Sequence, residues 1–388
     1  MSKDDNSKSF LHAGYSKKIT PPINLDSKNQ NFKVFKEVSL QSSPDIFVHN
    51  LKNIVIDDTA IVYKKNGQIK TDLYEPSERQ KYHLFQKKNK LNLQNIVHPR
   101  LFVQNLLNKF TFKKNVTLDR DKSYLVITDD RALNNIYHWF CDSMVKLIAY
   151  GKLNEDDVIV LPEDCWKKGF VRDSLSIFGI TEKEIYVLKK NNFYHLGNAK
   201  FISNSIFTPS SSNGFILSKL REEFYKSFDQ VNSDEPVKKV YLSRGKALNR
   251  NISNLAEFEN FILEYGFHEI IAEDYSLFDL IHILIGTKYL IGVVGANLTH
   301  MLFMKKETYV IELIHSDFVT PSEKIWPGMY NDKFYGFHFL YLANSLSINY
   351  LYFPCKTISK DANYHSDVAS QDLHVNLTDL KRELDLII

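Results

Sequence analysis

Short apolar stretches of strand length alternate with longer amphipathic stretches in two separate runs of this sequence. The first run reads YLVITDD, NNIYHWFCDSMVKLIAYGK, DVIVLPED and FVRDSLSIFGI. The second run reads KKVYLSR, LAEFENFILEYGF, EIIAED, SLFDLIHILIGT, YLIGVV, NLTHMLFMK and TYVIELI. The apolar runs predict buried strands, the longer segments predict helices, and this order is typical of parallel βαβ units. The pattern therefore predicts an α/β fold, with the second run forming a compact doubly wound domain.

The length of the chain predicts two domains. Its 388 residues exceed the size at which a single hydrophobic core stops growing. The stretch IFTPSSSNGF at 206–215 is rich in serine and contains proline and glycine, so we place the linker there. We expect a polar N-terminal arm over 1–39, a first domain over 40–210 with a β-rich start, and a second domain over 211–388. Within the β-rich start, Asn66-Gly67 predicts a hairpin turn.

Composition and charge restrict the class of protein. Hydrophobic residues make up 44% of the chain and charged residues 24%, which are ordinary values for a globular protein. A formal net charge of +3 does not favour nucleic acid as a partner. The cysteines Cys141, Cys165 and Cys355 lack the CxxC spacing of zinc or redox sites and are interpreted as reduced thiols. No apolar run resembles a signal peptide or a membrane span, so we expect a cytoplasmic protein, soluble or peripherally attached to a membrane.

The stretch YLIGVVGANLTHMLFM, residues 289–304, is a candidate anion site. Its predicted strand ends at Val294, Gly295 permits a tight turn, and the small Ala296 lets a ligand approach the backbone. The free N–H groups in the first turn of the following helix attract anions. A glycine-assisted turn without a ligand is the simpler alternative.

A second candidate group stands in YLSRGKALNRNISN, where Arg244 follows directly on a predicted strand. In a doubly wound sheet the carboxyl ends of the parallel strands face one crevice, so Arg244 and the Gly295 turn can converge there. The guanidinium fork suits phosphate oxygens. A surface ion pair is the alternative for Arg244, and a solvent-facing position is the preferred interpretation for Lys246 and Arg250.

The third candidate group lies in NNIYHWFCDSMVKL, which the pattern predicts to be helical. His138 and Asp142 are four residues apart and therefore share one face of that helix. Together they could accept a proton or bind hydroxyl groups. The alternatives are a packed, hydrogen-bonded histidine and an exposed carboxylate.

These stretches, in this order and together with VIEL and FLYLANSLSINYLY, resemble glycosyltransferase family 61 over roughly residues 50–355. The most specific parts are Tyr137-His138-Trp139 with Asp142, the strand end Ser243-Arg244, and the block 274–303. The resemblance implies sugar transfer from a nucleotide-sugar donor, with inversion and without a bound metal ion. It also implies the GT-B arrangement of two facing Rossmann-like domains.

The chain departs from the family pattern at the glycine turn. The family often reads His-Gly-Ala-Gly-Leu-Thr-Asn, whereas this chain has Val294, Asn297 and His300 at the first, fourth and last positions. The matching positions are Gly295, Ala296, Leu298 and Thr299. The family's asparagine after the arginine pair matches Asn254, but the acidic residue expected next is Leu255. Glu312 corresponds to a strand-end glutamate that holds sugar or ribose hydroxyls in GT-B enzymes.

The combined interpretation is an inverting, metal-independent glycosyltransferase acting in bacterial surface polysaccharide synthesis, such as capsule or lipopolysaccharide. The expected partners are a nucleotide sugar and an oligosaccharide or polysaccharide acceptor; no cofactor besides the donor is expected. Asp142 or His138 would act as the base in the first domain, with Asp142 preferred and His138 orienting it. The predicted donor-binding residues are Arg244, Arg250, Asn254, Gly295, Ala296, Asn297, Leu298, Thr299, His300 and Glu312.

Two other classes of protein remain compatible with the sequence. A nucleotide-dependent epimerase or phosphosugar enzyme could share two Rossmann-like domains, although a dinucleotide-binding type should show GxGxxG after its first strand, and this chain does not. A catalytically inactive sugar-binding or scaffold protein is the other alternative, and the altered glycine turn favours it. Slow hydrolysis of the donor would separate an active transferase from a scaffold.

Overall fold

The computed structural model describes residues 7–25, 40–64, 70, 73, 114–128, 132–133, 135–203, 213–228, 237–245, 247–316, 337–358 and 371–388. The chain divides into two compact units. The first comprises Met1–Gly14 and Pro44–Phe207, and the second comprises Tyr15–Ser43 and Thr208–Ile388. The predicted hairpin turn at Asn66-Gly67 lies outside the described residues, as does most of the predicted linker at 206–215. The predicted domain boundaries themselves stay predictions.

The first unit contains a mixed sheet of eight strands. These are β1 Ser7–His12, β4 Ile46–Asp57, β5 Val62–Tyr63, β6 Lys114–Thr117, β7 Ser123–Val126, β8 Asp157–Pro162, β9 Ile185–Leu188 and β10 Asn192–Ile202. The order is β1-β4-β10-β7-β8-β9, with β5 on β4 and β6 on β10. The pairs from β10 through β9 are parallel, whereas β1, β4 and β5 are joined by antiparallel pairs. The β-rich start and the parallel part therefore belong to one sheet.

The helices of the first unit follow the parallel strands. A continuous helical stretch consists of α1 Ile136–His138, a π-helical segment Trp139–Met144 and α2 Val145–Tyr150. It is followed by α3 Glu163–Trp166, α4 Gly169–Ile177 and a 3₁₀ turn Glu182–Glu184. Trp139 is fully buried and donates from Nε1 to Ser174 Oγ at 2.9 Å, which fixes the helical stretch against α4.

The second unit contains a six-stranded sheet in the order β12-β11-β13-β14-β15-β16. Its strands are β11 Lys239–Ser243, β12 His268–Ile271, β13 Tyr289–Val293, β14 Tyr309–His315, β15 Asn349–Ile358 and β16 Asp372–His374. All neighbouring pairs are parallel except β15–β16. Strand β13 is buried along its whole length, as expected of a parallel strand covered on both faces.

The helices of the second unit are α5 Gly214–Phe228, α6 Leu255–Glu264, α7 Leu277–Gly286, α8 His338–Leu346 and α9 Leu377–Asp385, with 3₁₀ segments Ala272–Asp274 and Ala296–Phe303. Ser276 caps α7 by accepting from the Asp279 N–H, so the local sequence defines where this helix begins. The helix predicted over NLTHMLFMK is present over Ala296–Phe303 as a 3₁₀-helix.

The described part of the N-terminal stretch forms three short strands. Strand β1 pairs with β4 in the first unit. Strands β2 Tyr15–Lys18 and β3 Leu40–Ser43 pair with each other in the second unit. The predicted polar arm over 1–39 stays a prediction, although its residues 7–12 and 15–18 form strands. Ile19 and Leu25 are also buried.

The described helices include none that is both long enough and apolar enough to span a membrane. The thiols of Cys141, Cys165 and Cys355 are buried and form no disulfide.

Candidate functional site

The strand order of the second sheet reverses between β11 and β13. The chain leaves β11 outward to β12 and then returns to β13 on the other side of β11. In open α/β sheets, ligands bind outside the carboxyl ends of the strands at such a switch point. The residues that follow these two strands are Arg244 and Val294-Gly295.

Gly295 and two arginines converge at this switch point. Gly295 has a φ of 153°, a backbone conformation that residues other than glycine rarely adopt. A Cβ atom at Gly295 would lie 2.5 Å from Nη1 of Arg244 and 3.2 Å from Nη1 of Arg250. A side chain here would therefore adopt a strained backbone conformation and displace the Arg244 guanidinium group.

Backbone carbonyl groups hold both arginines in place. Arg244 donates from Nε and Nη2 to the Asn249 carbonyl at 3.3 and 3.2 Å. Arg250 donates from Nη1 to the Val294 carbonyl at 2.9 Å. Both side chains are partly buried, so the interpretation of Arg250 as a solvent-facing residue is wrong. Lys246 lies outside the described residues.

The electrostatics of this pair favour an anion. Burial and the neighbouring Arg250 guanidinium lower the pKa of Arg244 to about 10, against the opposing effect of Glu273. A depressed pKa means that the second positive charge is disfavoured in the protein without a ligand. A phosphate group would relieve that repulsion, and guanidinium groups bind phosphate oxygens through paired N–H donors.

The residues after Gly295 divide into a partly exposed pair and a buried group. Ala296 and Asn297 are partly exposed at the first turn of the 3₁₀-helix. Leu298 and Thr299 are fully buried. Leu298 packs over Gly292, where a Cβ atom would lie 2.7 Å from Leu298 Cδ2. A bound anion could therefore contact the backbone of the first turn of this segment. The Leu298 side chain packs against β13 and holds the helix in place.

His300 is a neutral, buried histidine. Its Nδ1 donates to the Asn297 carbonyl at 2.7 Å. Burial lowers the pKa of His300 to about 4, although this hydrogen bond opposes the shift. The imidazole is consequently uncharged near pH 7 and adds no positive charge to the anion site.

Glu312 lies in the middle of β14, between Gly292 of β13 and Tyr352 of β15. The interpretation of Glu312 as a strand-end residue is wrong, because β14 continues to His315. The carboxyl group is fully buried and accepts a short hydrogen bond from the Tyr350 hydroxyl. Burial raises the pKa of Glu312 to about 8, while the Tyr350 hydrogen bond and the Arg250 charge oppose this shift.

Asn254 is engaged elsewhere in the second unit. Its Nδ2 donates to the Val375 carbonyl at 3.0 Å, and its Oδ1 accepts from the Val375 N–H at 3.1 Å. It borders a cavity of about 870 Å³, lined among others by Lys356, His374 and Asp379. The donor contact implied for Asn254 stays a prediction.

In the first unit, His138 and Asp142 form a hydrogen-bonded pair. Their Nδ1 and Oδ2 atoms lie 2.7 Å apart. The Asp142 side chain is 3% exposed and the His138 side chain 25%, so the interpretation of Asp142 as an exposed residue is wrong. Asp142 belongs to the π-helical segment, a helix type that is frequently found at functional sites. Because a carboxylate only accepts, Nδ1 carries the proton and Nε2 remains a proton acceptor.

Sequence reasoning missed Tyr350 and Glu273, which act on Glu312 and Arg244. Both lie in stretches quoted in the sequence analysis, Tyr350 in FLYLANSLSINYLY and Glu273 in EIIAED, but neither is assigned a role there. Glu312 and Tyr350 are 38 positions apart, so no local pattern indicates their contact. Among the described residues, no group of three or more His, Cys, Asp or Glu side chains could hold a metal ion. Of the TDD stretch, Thr128 is buried, and Asp129 and Asp130 are not described.

The fold and this site define an α/β protein with a candidate phosphate site at the switch point of its second sheet. Residues 136–311, a little under half of the chain, match the family described as Glycosyltransferase 61. The chain therefore resembles glycosyltransferase family 61, and the match supports a glycosyltransferase. The matched range begins at the helical stretch that carries His138 and includes both arginines and the Gly295 turn. No curated protein matches the chain.

Proposed function

We propose that this protein is an inverting glycosyltransferase that moves a hexosyl or pentosyl group from a nucleotide diphosphate sugar to a carbohydrate acceptor. The observation that carries the proposal is the convergence of Arg244, Arg250 and Gly295 at the switch point of the second sheet. The match to Glycosyltransferase 61 spans these residues and supports a nucleotide-sugar diphosphate as the anion that binds there.

The second unit would bind the donor, and its two arginines would stabilise the leaving diphosphate. In a single displacement, the acceptor oxygen forms a bond to the anomeric carbon as the bond to the diphosphate oxygen breaks. The negative charge that develops on the diphosphate is then met by guanidinium groups already held in place by backbone carbonyls. Preorganised charge of this kind is usually the largest contribution to catalysis.

The first unit would bind the acceptor and remove its proton. His138 is the more exposed member of its pair, and its Nε2 would take the hydroxyl proton. Asp142 would hold the ring in the Nδ1–H tautomer and stabilise the imidazolium that forms. This assignment exchanges the roles expected from the sequence, because burial leaves Asp142 with little access to a substrate.

The proposal extends to the arrangement and setting of the enzyme. We assign the chain to the GT-B class, in which two Rossmann-like domains face each other. The reaction would take place in the cytoplasm, in a soluble or peripherally membrane-attached enzyme that builds capsule, lipopolysaccharide or a related bacterial surface polysaccharide. Nucleic acid is not among the proposed partners, since the net charge is only +3.

The proposed chemistry does not depend on a metal ion, because two guanidinium groups supply the charge that a divalent cation supplies in other transferases. The purified protein is incubated with UDP-, GDP-, dTDP- and ADP-sugars in EDTA, and release of the nucleoside diphosphate is followed. We expect slow release from one donor class and no stimulation by magnesium or manganese. Activity that disappears in EDTA and returns with either metal would contradict metal independence. Absence of both hydrolysis and binding for every donor would contradict the proposed function.

A further inference from the structure

The loop between Arg244 and α6 lies beside the C-terminal strand β16. The Leu373 N–H donates to the Asn251 carbonyl at 2.9 Å, and the Ser253 N–H donates to the Leu373 carbonyl at 2.8 Å. Ile252 forms a parallel bridge with Leu373. The loop that carries Arg250 is therefore held to β16 by strand-like hydrogen bonds.

Asn254 adds two side-chain hydrogen bonds between the loop and the residue after β16, and we call this pair of bonds the Asn254 clamp. Its carboxamide donates to the Val375 carbonyl at 3.0 Å and accepts from the Val375 N–H at 3.1 Å. A carboxamide is suited to this task because it combines a donor and an acceptor in one short planar group. Asn254 directly precedes α6, yet its side chain makes no capping hydrogen bond to that helix. Its side-chain hydrogen bonding is thus directed to Val375.

Arg250 needs such support. Its φ is 61°, in the left-handed region that residues other than glycine adopt at a cost in energy. Conformations of this kind persist when the surrounding structure fixes them. The next residue, Asn251, donates its N–H to Asp372 Oδ1 at 3.0 Å, so the C-terminal segment holds the backbone immediately after Arg250.

We propose that Asn254 is a positioning residue that acts through Arg250. By clamping Val375, Asn254 fixes the loop on β16 so that the Arg250 guanidinium reaches the Val294 carbonyl and the Gly295 turn. This role replaces direct contact of Asn254 with the donor. The inference rests on the proposed function, in which Arg250 binds the donor diphosphate.

A double-mutant cycle tests the coupling. Binding of UDP and GDP is measured by titration calorimetry for the wild type, Asn254→Ala, Arg250→Ala and the double variant. Asn254→Ala is expected to weaken binding by ~10-fold in the wild-type background and to have almost no effect once Arg250 is absent. Additive losses would overturn the inference, because they would mean that Asn254 contributes independently of Arg250.

Two further variants separate positioning from general stability. Asn254→Asp keeps the acceptor and loses the donor, so it should bind with intermediate affinity. Asn376→Ala is the matched control, since Asn376 lines the same cavity and accepts two backbone hydrogen bonds, from Thr378 and Asp379. It should lower the melting temperature without changing nucleotide affinity. Equal loss of affinity in Asn376→Ala and Asn254→Ala would overturn the positioning role.

Hydrogen exchange gives a readout that needs no ligand. In Asn254→Ala, the amides of Asn251, Ser253 and Val375 should exchange faster, while those of β13 and β14 stay protected. Unchanged exchange in the loop would overturn the inference even if nucleotides bind. A wild-type protein that binds no nucleoside diphosphate would overturn the proposed function and with it the role of Asn254 in donor binding. The two failures are therefore distinguishable.

Discussion

At the scale of single residues, burial decides the chemical role of each ionisable group. In the His138–Asp142 pair, the carboxylate is almost completely enclosed and the imidazole retains an accessible edge. The proposed roles, a base and the carboxylate that orients it, form an arrangement that recurs on unrelated folds. Spacing in the sequence identifies the pair but contains no information on which member reaches the surface.

The first prediction concerns this pair. His138→Gln should lower turnover by ~10²–10⁴-fold, because it removes the proton acceptor. Asp142→Asn should also slow turnover, since an amide can present its N–H₂ to Nδ1 and favour the wrong tautomer. Turnover is measured as nucleoside diphosphate release under saturating donor.

The matched control is Asp157→Asn, which removes another buried carboxylate of the first unit, bonded to Lys200 at 2.6 Å. It should reduce stability and leave turnover unchanged. Near-normal turnover in His138→Gln, combined with an inactive Asp142→Asn, would return the role of base to Asp142.

The second prediction concerns the buried carboxyl of Glu312. Its pKa is raised from 4.5 to about 8 in the folded protein, so the folded state retains a proton that the unfolded chain has already lost. The free energy of unfolding should therefore fall as the pH rises towards 8, by at most about 1.4 kcal/mol per pH unit. Glu312→Gln cannot ionise and should remove this part of the pH dependence.

The measurement is the free energy of unfolding of both proteins in urea between pH 6.5 and 9. His300, whose pKa is lowered from 6.5 to about 4 in the folded state, also contributes at the lower end of this window. It is present in both proteins, so its contribution cancels in their difference. The advantage of Glu312→Gln over the wild type should grow with pH up to about 8 and then level off. A constant difference across the window would show that Glu312 is already ionised.

At the scale of elements, two glycines allow close packing: one lets the 3₁₀-helix pack on its strand, and the other leaves space for the two arginines. Gly292 makes room for Leu298, and Gly295 makes room for Arg244 and Arg250. The contact at Gly292 is part of the hydrophobic packing, and the contact at Gly295 is part of the candidate anion site. Substitutions at the two positions should therefore have different consequences.

The third prediction is a comparison of Gly295→Ala with Gly292→Ala. In Gly295→Ala the new methyl group would lie 2.5 Å from Arg244 Nη1, so the guanidinium must move and nucleotide affinity should fall. In Gly292→Ala the clash is with Leu298 Cδ2 inside the core, so the main effect should be lower stability, by ~1–3 kcal/mol. Calorimetry and urea unfolding on both variants measure the two effects. Unchanged nucleotide affinity in Gly295→Ala would contradict the assignment of the turn.

The elements of the second unit were largely predictable from sequence, but their details were not. Apolar periodicity predicts β11, β13 and β14 because strands buried on both faces are nearly continuous apolar runs. The predicted parallel arrangement also places Arg244 and Gly295 at one edge of the sheet, because the carboxyl ends of parallel strands lie at the same edge. The 3₁₀ form of Ala296–Phe303 and the central position of Glu312 depend on packing against neighbouring strands, which local patterns do not encode.

At the scale of the whole molecule, the chain does not divide at simple positions along the sequence. The N-terminal residues 15–25 belong to the second unit, where the Thr20 N–H donates to Asn344 Oδ1 at 2.7 Å and the Ile23 N–H donates to the Tyr350 carbonyl at 2.9 Å. More than 320 residues separate the partners, so no window of sequence reveals the contact. The polar composition suggested an arm, yet Ile19 and Leu25 are buried.

The central claim is that the second unit binds a nucleoside diphosphate through Arg244 at the switch point of its sheet. The most direct test is calorimetric binding of UDP, GDP, dTDP and ADP to the wild type and to Arg244→Ala. Arg382→Ala is the control, because it removes an exposed arginine that pairs with Asp379. We expect one nucleotide to bind the wild type and Arg382→Ala equally, and to bind Arg244→Ala at least ~10-fold more weakly, because a hydrogen bond to a charged group contributes ~1.5–3 kcal/mol. Equal affinity in Arg244→Ala and the wild type, or no binding of any nucleotide to the wild type, would contradict the claim.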